Sequence, residues 1–460
     1  MKEFDAIVIG TGQGGKPLAG ALARRGQRVA VIEKAPRVGG TCVIDGCTPT
    51  KTMIASARVA HLARRAADFG VEVGEVEVDL ARVRERKRSM VDAWSGGSRR
   101  GLEKWDTLDL IFGHARFTGP HEIEVELSEG GMEALRAPSI FINTGTHNFV
   151  PPIDGLDEVA WLDNASLMEL GEVPRHLIIL GGGFLGMEFG QMFRRFGAEV
   201  TVVEAAPRIL GREDEDVAEG VCEILEGEGV RILTGTRAVG VEPDGSAVAV
   251  RAEGPGGELR IEGSHLMVAV GRRPSTADLG VETAGIELTE RGFVKVDDEL
   301  RTSVDGVWAL GDVNGGPPFT HTSYDDYRIV ERNLFGDGKG TRAGRIVPFT
   351  MFIDPQLGRV GLTEAAAREA GHEVRVARIP MSRVARAVEA DETRGFMKAV
   401  VDAETDRILG AAILGIEGGE VATVIQVAMM GNLPWTTLRD ATIAHPTLSE
   451  SLNNLFMTLD

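Results

Sequence analysis

A strand, a glycine turn, a helix, a second strand and a carboxylate occur twice in this chain, at a constant offset of 171 residues. In the first copy the apolar run 6–9 meets the turn Gly10-Thr11-Gly12-Gln13-Gly14-Gly15. A helix is expected over 18–25, and the strand 29–32 ends at Glu33. In the second copy the run 177–180 meets Gly181-Gly182-Gly183-Phe184-Leu185-Gly186, a helix runs to Phe196, and the strand 200–203 ends at Glu204. Glycines at 10, 12 and 15, and again at 181, 183 and 186, permit a tight turn, close approach of a pyrophosphate and close helix–strand packing. Each carboxylate stands where it can accept hydrogen bonds from ribose hydroxyls. One glycine loop is weak evidence. Two complete units predict two βαβ nucleotide folds and two dinucleotides.

The chemistry is expected in Gly39-Gly40-Thr41-Cys42-Val43-Ile44-Asp45-Gly46-Cys47-Thr48-Pro49-Thr50-Lys51, which holds two of the three cysteines. Pro49 suits the first turn of a helix, since its missing N–H leaves no donor unsatisfied. Residues 49–67 read as that helix, with Met53, Ile54, Ala57 and Leu62 as its apolar stripe. Cys47 then sits just before a helix N-terminus, where the dipole favours a thiolate, and Lys51 adds positive potential one turn later. A zinc site would want two more ligands at close spacing, and none is near. A pair cycling between dithiol and disulfide is expected, with two unrelated buried cysteines as the alternative.

A formal charge of −19 argues against a nucleic-acid partner or an anionic membrane. The strand begins directly after Met1-Lys2-Glu3, no apolar run is long enough to span a bilayer, and three cysteines fit a reducing compartment, the cytoplasm. Between the two nucleotide units a long charged helix is expected over 79–100. Alternating segments at 109–117, 122–127 and 139–142 suggest a small antiparallel appendage, and 151–176 reads as a linker. Strands follow through 230–270, a helix at 320–335, then strands at 350–353, 358–362, 374–379, 395–402 and 407–415 and helices at 419–430 and 447–457. This last block lacks a nucleotide loop and is expected to serve association.

Together these motifs resemble the flavin-dependent pyridine nucleotide–disulfide oxidoreductases with a C-x4-C site, the class of dihydrolipoamide dehydrogenase, glutathione reductase and mercuric reductase. The first glycine loop, Gly-Gly-Thr-Cys with Cys47 and Lys51, and Asn143-Thr144-Gly145 match in order. So do the second loop with Glu188, Gly271-Arg272-Arg273-Pro274, Ala309-Leu310-Gly311-Asp312 and His445-Pro446-Thr447-Leu448-Ser449-Glu450. The resemblance implies an α/β fold of two doubly wound Rossmann-like domains plus a C-terminal α+β dimerisation domain. The implied domains are FAD-binding over 1–150, NAD(P)-binding over 151–271, a central region completing the FAD domain over 272–345, and dimerisation over 346–460.

It further implies FAD on Gly10, Gly12, Gly15, Glu33, Thr41, Gly145, Asp312 and His321, and the nicotinamide dinucleotide on Gly181, Gly183, Gly186, Glu204 and Gly271. Glu188 and Lys51 match an ion pair beside the flavin. Phe184 matches an aromatic gate, a core phenylalanine being the alternative. Electrons would pass from NAD(P)H through the flavin to the Cys42–Cys47 disulfide and on to a small disulfide such as lipoamide. Cys47 would be the flavin-side thiolate and Cys42 the exchange thiol nearer solvent. His445, oriented by Glu450, would be the acid/base acting across a homodimer. Glu204 and the absence of an arginine at Ala205-Ala206 favour NADH over NADPH, unless Arg208 or Arg272 reaches the site.

The chain departs from mercuric reductases in lacking a cysteine pair at 454–460, and from lipoamide dehydrogenases at Thr48, Thr50 and the helix holding Tyr324 and Tyr327. That helix is similar to one in reductases of reactive-chlorine resistance and copper(II) reduction. Two alternatives therefore stand beside disulfide reduction: a Cu(II) or Hg(II) reductase using the dithiol as soft ligands, and a non-enzymatic dinucleotide-sensing or complex-organising subunit.

Overall fold

The computed structural model describes residues 1–245 and 247–459. Its contacts divide the chain into two compact units: Met1–Thr52, Arg82–Phe149 and Gly271–Arg345 in the first, and Met53–Ala81, Val150–Val270 and Ile346–Asp460 in the second.

In the first unit five parallel strands lie in the order Leu108–Gly119, Val29–Glu33, Ala6–Ile9, Ser139–Ile142, Val307–Ala309. All of Ala6–Ile9 is buried. Ala6 and Val8 share a cluster with Leu18 and Leu22 of the helix Gly15–Arg24, while Ile7 and Ile9 pack with Phe117 and Ile123 on the other face. Burial on both faces is why this strand reads as a continuous apolar run rather than an alternation.

The far half of Leu108–Gly119 continues into an antiparallel meander with Glu122–Leu127 and Met132–Arg136. Ser139–Ile142 does not belong to that appendage, contrary to expectation. It is a central parallel strand, and its Ile140, Phe141 and Ile142 are buried. The short length of the segment hid that parallel-strand signature.

The cysteine helix starts at Cys47, two residues ahead of the expected Pro49, and stops at Arg64. Thr50 N donates to the Gly46 carbonyl at 3.1 Å, so the first helical bond reaches back beyond the proline. The charged helix runs over Leu80–Glu103.

In the second unit the parallel strands Val230–Leu233, Glu199–Val203, His176–Leu180 and His265–Val268 repeat the order of the first four strands above. The expected linker 151–176 carries the 3-10 turn Leu156–Glu158 and the helix Asn164–Leu167, capped by Asp163. The C-terminal block is a five-stranded antiparallel sheet with the helices Gly418–Met430, Trp435–Asp440 and Ser451–Met457. Trp435–Asp440 was not expected, because six residues after Pro434 are too few to show a helical period. The last helix begins at Ser451 rather than 447, since the Thr447 hydroxyl holds Glu450 N in a side-chain turn at 3.2 Å. Among the described residues no helix is long and apolar enough to cross a membrane.

Candidate active site

Both active-site thiols are free in this structure. Gly40 turns at φ 64°, and a Cβ there would lie 2.7 Å from Gly12 Cα, so only glycine lets the cysteine segment lie against the first glycine loop. Cys42 follows on the short helix Gly40–Ile44. Cys47 opens the helix Cys47–Arg64, and its Sγ lies 3.2 Å from Oγ1 of Thr320, the first residue of the helix Thr320–Phe335.

A hydrogen bond from Cys42 is the largest influence on Cys47, and Thr320 and Lys51 add to it. Together they outweigh burial and pull its pKa down to about 6. The same hydrogen bond, followed by burial, pushes the Cys42 thiol up. The proton of the pair therefore rests on Cys42. Cys42 is half-buried and Cys47 exposed. The short helix turns Cys42 into the wall of a surface cavity, whereas Cys47 stands at the open end of a helix.

In the first glycine loop Gly10 turns at φ 102°, and a Cβ would meet the Asn143 carbonyl at 2.3 Å. Glu33 is 7% exposed and accepts from Thr11 N at 3.0 Å and from Ala35 N at 2.9 Å. Asn143 Oδ1 accepts from Gly15 N at 2.9 Å while its Nδ2 donates to the Leu310 carbonyl at 2.7 Å. Gly145 turns at φ 66°, and the following Thr146 donates to Asp312 at 3.3 Å. Burial raises the Asp312 carboxyl, with Arg272 opposing. His321 stacks on Phe319 at 5.4 Å, and Thr41 is exposed beside Cys42. Thr322 Oγ1 is buried without a hydrogen-bond partner. A dinucleotide fits these residues: the glycines at 10, 12 and 15 carry no side chain, a helix N-terminus lies behind the loop, and buried polar groups line the far side.

The second loop repeats the geometry. Gly181 turns at φ 111° beneath the Ala269 carbonyl, and a Cβ on Gly186 would lie 2.1 Å from the Gly181 carbonyl. Glu204 accepts from Gly182 N and Ala206 N, both at 2.6 Å. Gly183 caps the helix Phe184–Phe196, with nothing within 4 Å of a Cβ there. Phe184 is half-buried against Phe349, with ring centroids 4.9 Å apart. Glu188 is 4% exposed and accepts from Phe352 N at 2.7 Å. Gly271 belongs to the first unit and turns at φ 132°.

In the second unit His445 Nδ1 meets both Glu450 oxygens, at 3.0 and 2.8 Å, and the imidazole is 69% exposed. The structure thus joins Cys42 to Cys47 and His445 to Glu450.

Sequence reasoning passed over Asn143 as a side chain, Thr320, and Asp326, whose buried carboxylate takes Gly311 N at 2.8 Å and Arg345 at 2.6 Å. Thr320 and Asp326 had a usable signal in their position on the helix that follows Gly311-Asp312. Asn143 had none beyond the motif that contains it.

The model of the family described as "Pyridine nucleotide-disulphide oxidoreductase" matches residues 4–326, and that of the family's dimerisation domain matches 347–456. The probable pyridine nucleotide-disulfide oxidoreductase RclA of Escherichia coli is 40% identical, covering 99% of both chains. A dihydrolipoyl dehydrogenase of Thermus scotoductus is 38% identical, over 98% of this chain and 96% of its own. The Cu(II) complex of the HOCl-induced flavoprotein disulfide reductase RclA superposes with a TM-score of 0.92 at 39% identity, with all of both chains covered. This family depends on FAD and a pyridine nucleotide, and the match to its dimerisation domain supports a homodimer. A purely sensing or organising subunit is thereby set aside. The chain belongs to the pyridine nucleotide–disulphide oxidoreductases and is an FAD-dependent disulfide reductase with a dimerisation domain.

Proposed function

We propose that the enzyme passes electrons from NADH to the Cys42–Cys47 disulfide and on to a small disulfide of the lipoamide type, in the cytoplasm. The reading assigns 1–150 and 272–345 to FAD, 151–271 to the nicotinamide dinucleotide and 346–460 to dimerisation. The observation that carries it is the thiol pair itself: Cys42 on the short helix and Cys47 at the start of the next, its Sγ 3.2 Å from Thr320 Oγ1, with Cys47 drawn down to about 6 and Cys42 pushed up. FAD, when bound, supplies the two-electron carrier between nicotinamide and dithiol.

Cys42 is the exchange thiol. Holding the shared proton, it needs a base before it can attack a substrate sulfur, and the partner's His445 fills that role. Its Nδ1–H is fixed on Glu450, which leaves Nε2 to take the proton and later return it to the departing thiolate. Cys47 then closes the protein disulfide by attacking Cys42. Lys51 holds negative charge at Cys47, Glu188 is its proposed counterpart, and Phe184 gates the nicotinamide side.

Preference for NADH is supported by Glu204 and by both candidate arginines being engaged elsewhere. Arg208 donates to the Glu213 carbonyl at 3.3 Å, and Arg272 to Thr146 and Asn148 at 2.8 Å. A second reading, Cu(II) or Hg(II) reduction by the dithiol, is favoured by the Cu(II) complex of the similar RclA structure. NADH oxidation by the holoenzyme with lipoamide, glutathione disulfide, Cu(II) and Hg(II) separates the two. Turnover confined to the metal ions sinks the disulfide reading, and turnover of a disulfide lost in Cys42→Ser sustains it.

A further inference from the structure

A surface cavity of about 700 Å³ opens beside Cys42, entirely within the first unit. Its walls come from the helices Gly15–Arg24, Leu80–Glu103 and Thr320–Phe335 and the Lys104-Trp105 segment. Lys16, Arg24 and Lys104 line it, and among the described residues no carboxylate does, in a chain whose formal charge is −19. The nearest countercharge to Arg24 is Glu331, at 3.7 Å and off the wall.

Lys16 Nζ is oriented by Ser98 Oγ at 3.0 Å. Burial lowers its pKa, while the Cys42 sulfur pulls it back up, so the two groups sense each other's charge. Between the cations lie aromatic faces: Trp94 is 55% exposed, and Lys104 Nζ stands 4.9 Å over the Trp105 ring. Tyr327 lines the same wall, with Tyr324 edge-on to it at 5.3 Å.

The cavity is kept open at a cost to its own scaffold. Gly97 and Gly101 lie inside a long helix, where glycine is unfavourable. No packing requires them: a Cβ on Gly101 would meet nothing within 4 Å, and one on Gly97 would meet only an arginine tip at 4.0 Å.

We infer that this cavity selects anionic disulfides, whose carboxylate or sulfonate groups meet Lys16, Lys104 and Arg24, whose body lies on Trp94 and Trp105, and whose S–S bond is presented to Cys42. The inference rests on the disulfide-reductase reading above and narrows it, away from neutral lipoamide and from free metal cations.

The chemistry balances as two exchanges. The Cys42 thiolate attacks one substrate sulfur, a Cys42–substrate disulfide forms, the substrate S–S bond breaks, and one thiolate leaves and is protonated. Cys47 then attacks the Cys42 sulfur, forming the Cys42–Cys47 disulfide and expelling the second thiolate, which is also protonated. The substrate gains two electrons and two protons: the pair gives up both electrons and the one proton held by Cys42, solvent supplies the second proton, and the reduced nicotinamide dinucleotide resupplies the electrons.

The test uses the FAD-loaded holoenzyme with NADH and three disulfides of similar size: dithiodipropionate (dianion), hydroxyethyl disulfide (neutral) and cystamine (dication). At low ionic strength kcat/KM should fall in that order, with the ends on the order of tenfold or more apart. Added salt should narrow the ratio as screening shortens the reach of the lysines. Lipoate should outperform lipoamide for the same reason. The double variant Lys16→Met with Lys104→Met should flatten the ranking. The salt titration makes the same test in the unmodified protein, should the double variant not fold.

Quenching of tryptophan fluorescence by dithiodipropionate in the oxidised enzyme without NADH should saturate, and cystamine should not reproduce it. Equal or better turnover of the neutral or cationic disulfide at low salt overturns the charge selection and leaves the disulfide reading standing. Failure of every disulfide overturns that underlying reading.

Discussion

In the first glycine loop Gly10 turns beneath the Asn143 carbonyl, and in the second Gly181 turns beneath that of Ala269, with φ of 102° and 111°. The carboxylates match as well. Glu33 bridges Thr11 N and Ala35 N, and Glu204 bridges Gly182 N and Ala206 N, each partner displaced by the same 171 residues. What differs is the side chain at the end of the neighbouring strand. Asn143 ties Gly15 N to the Leu310 carbonyl, whereas Ala269 has nothing to tie with. The shared parts belong to the βαβ turn itself. The asparagine belongs to one loop only, the one proposed above to hold the resident flavin, while the loop proposed for the exchanging dinucleotide lacks such a tie.

The strongest test of this contrast is Gly10→Ala against Gly181→Ala. Each substitution forces a Cβ into a backbone carbonyl at a left-handed φ, a strain of about 1–3 kcal/mol before the clash is counted. The first should give protein without bound flavin, read from its visible absorbance. The second should keep the flavin and lose NADH binding. A flavin-replete Gly10→Ala protein would break the assignment of the loops.

The thiols sharpen the comparison next, because the first unit carries Cys42 and Cys47 and the second carries Cys222. Cys47 is pulled down to about 6 and ionises as pH rises through that value, while burial, with Glu226 and Glu223, pushes Cys222 up to about 11. At pH 7 the reduced protein should be alkylated at Cys47 roughly a hundredfold faster than at Cys222, the greater intrinsic nucleophilicity of the more basic thiolate offsetting part of the ionisation gap. The Cys47 rate should fall only below about pH 6, and peptide mapping across pH reads both sites.

Asn143→Ala should leave Gly15 N–H and the Leu310 carbonyl without their partner, at about 1–3 kcal/mol for each buried group. A lower Tm and weaker flavin retention, with NADH affinity of the remaining holoenzyme unchanged, would confine the effect to the first loop. The smallest expected change is Glu204→Gln. Loss of the charge should narrow the NADH-to-NADPH ratio of kcat/KM about fivefold, close to 1 kcal/mol. No change in that ratio would remove Glu204 from the discrimination.

The parts legible in the sequence were those that local backbone chemistry writes down. Glycines at φ above 60°, a proline in the first helical turn and a carboxylate closing a strand all leave a residue type at a fixed offset. The parts that stayed hidden depend on partners far along the chain. Nothing about Ser139–Ile142 taken alone says that it lies between Ala6–Ile9 and Val307–Ala309.

The Asn143 tie has a consequence for the order in which the chain becomes complete. It joins residues 15, 143 and 310, so the first loop cannot take its final form on the ribosome until more than two thirds of the polypeptide has emerged. The second nucleotide sheet needs only residues 176–268. The first nucleotide sheet is therefore expected to close after the second, with its unfinished edge exposed meanwhile. Ribosome-stalled chains ending shortly after residue 300 should protect the second sheet from proteolysis while the first remains cleavable.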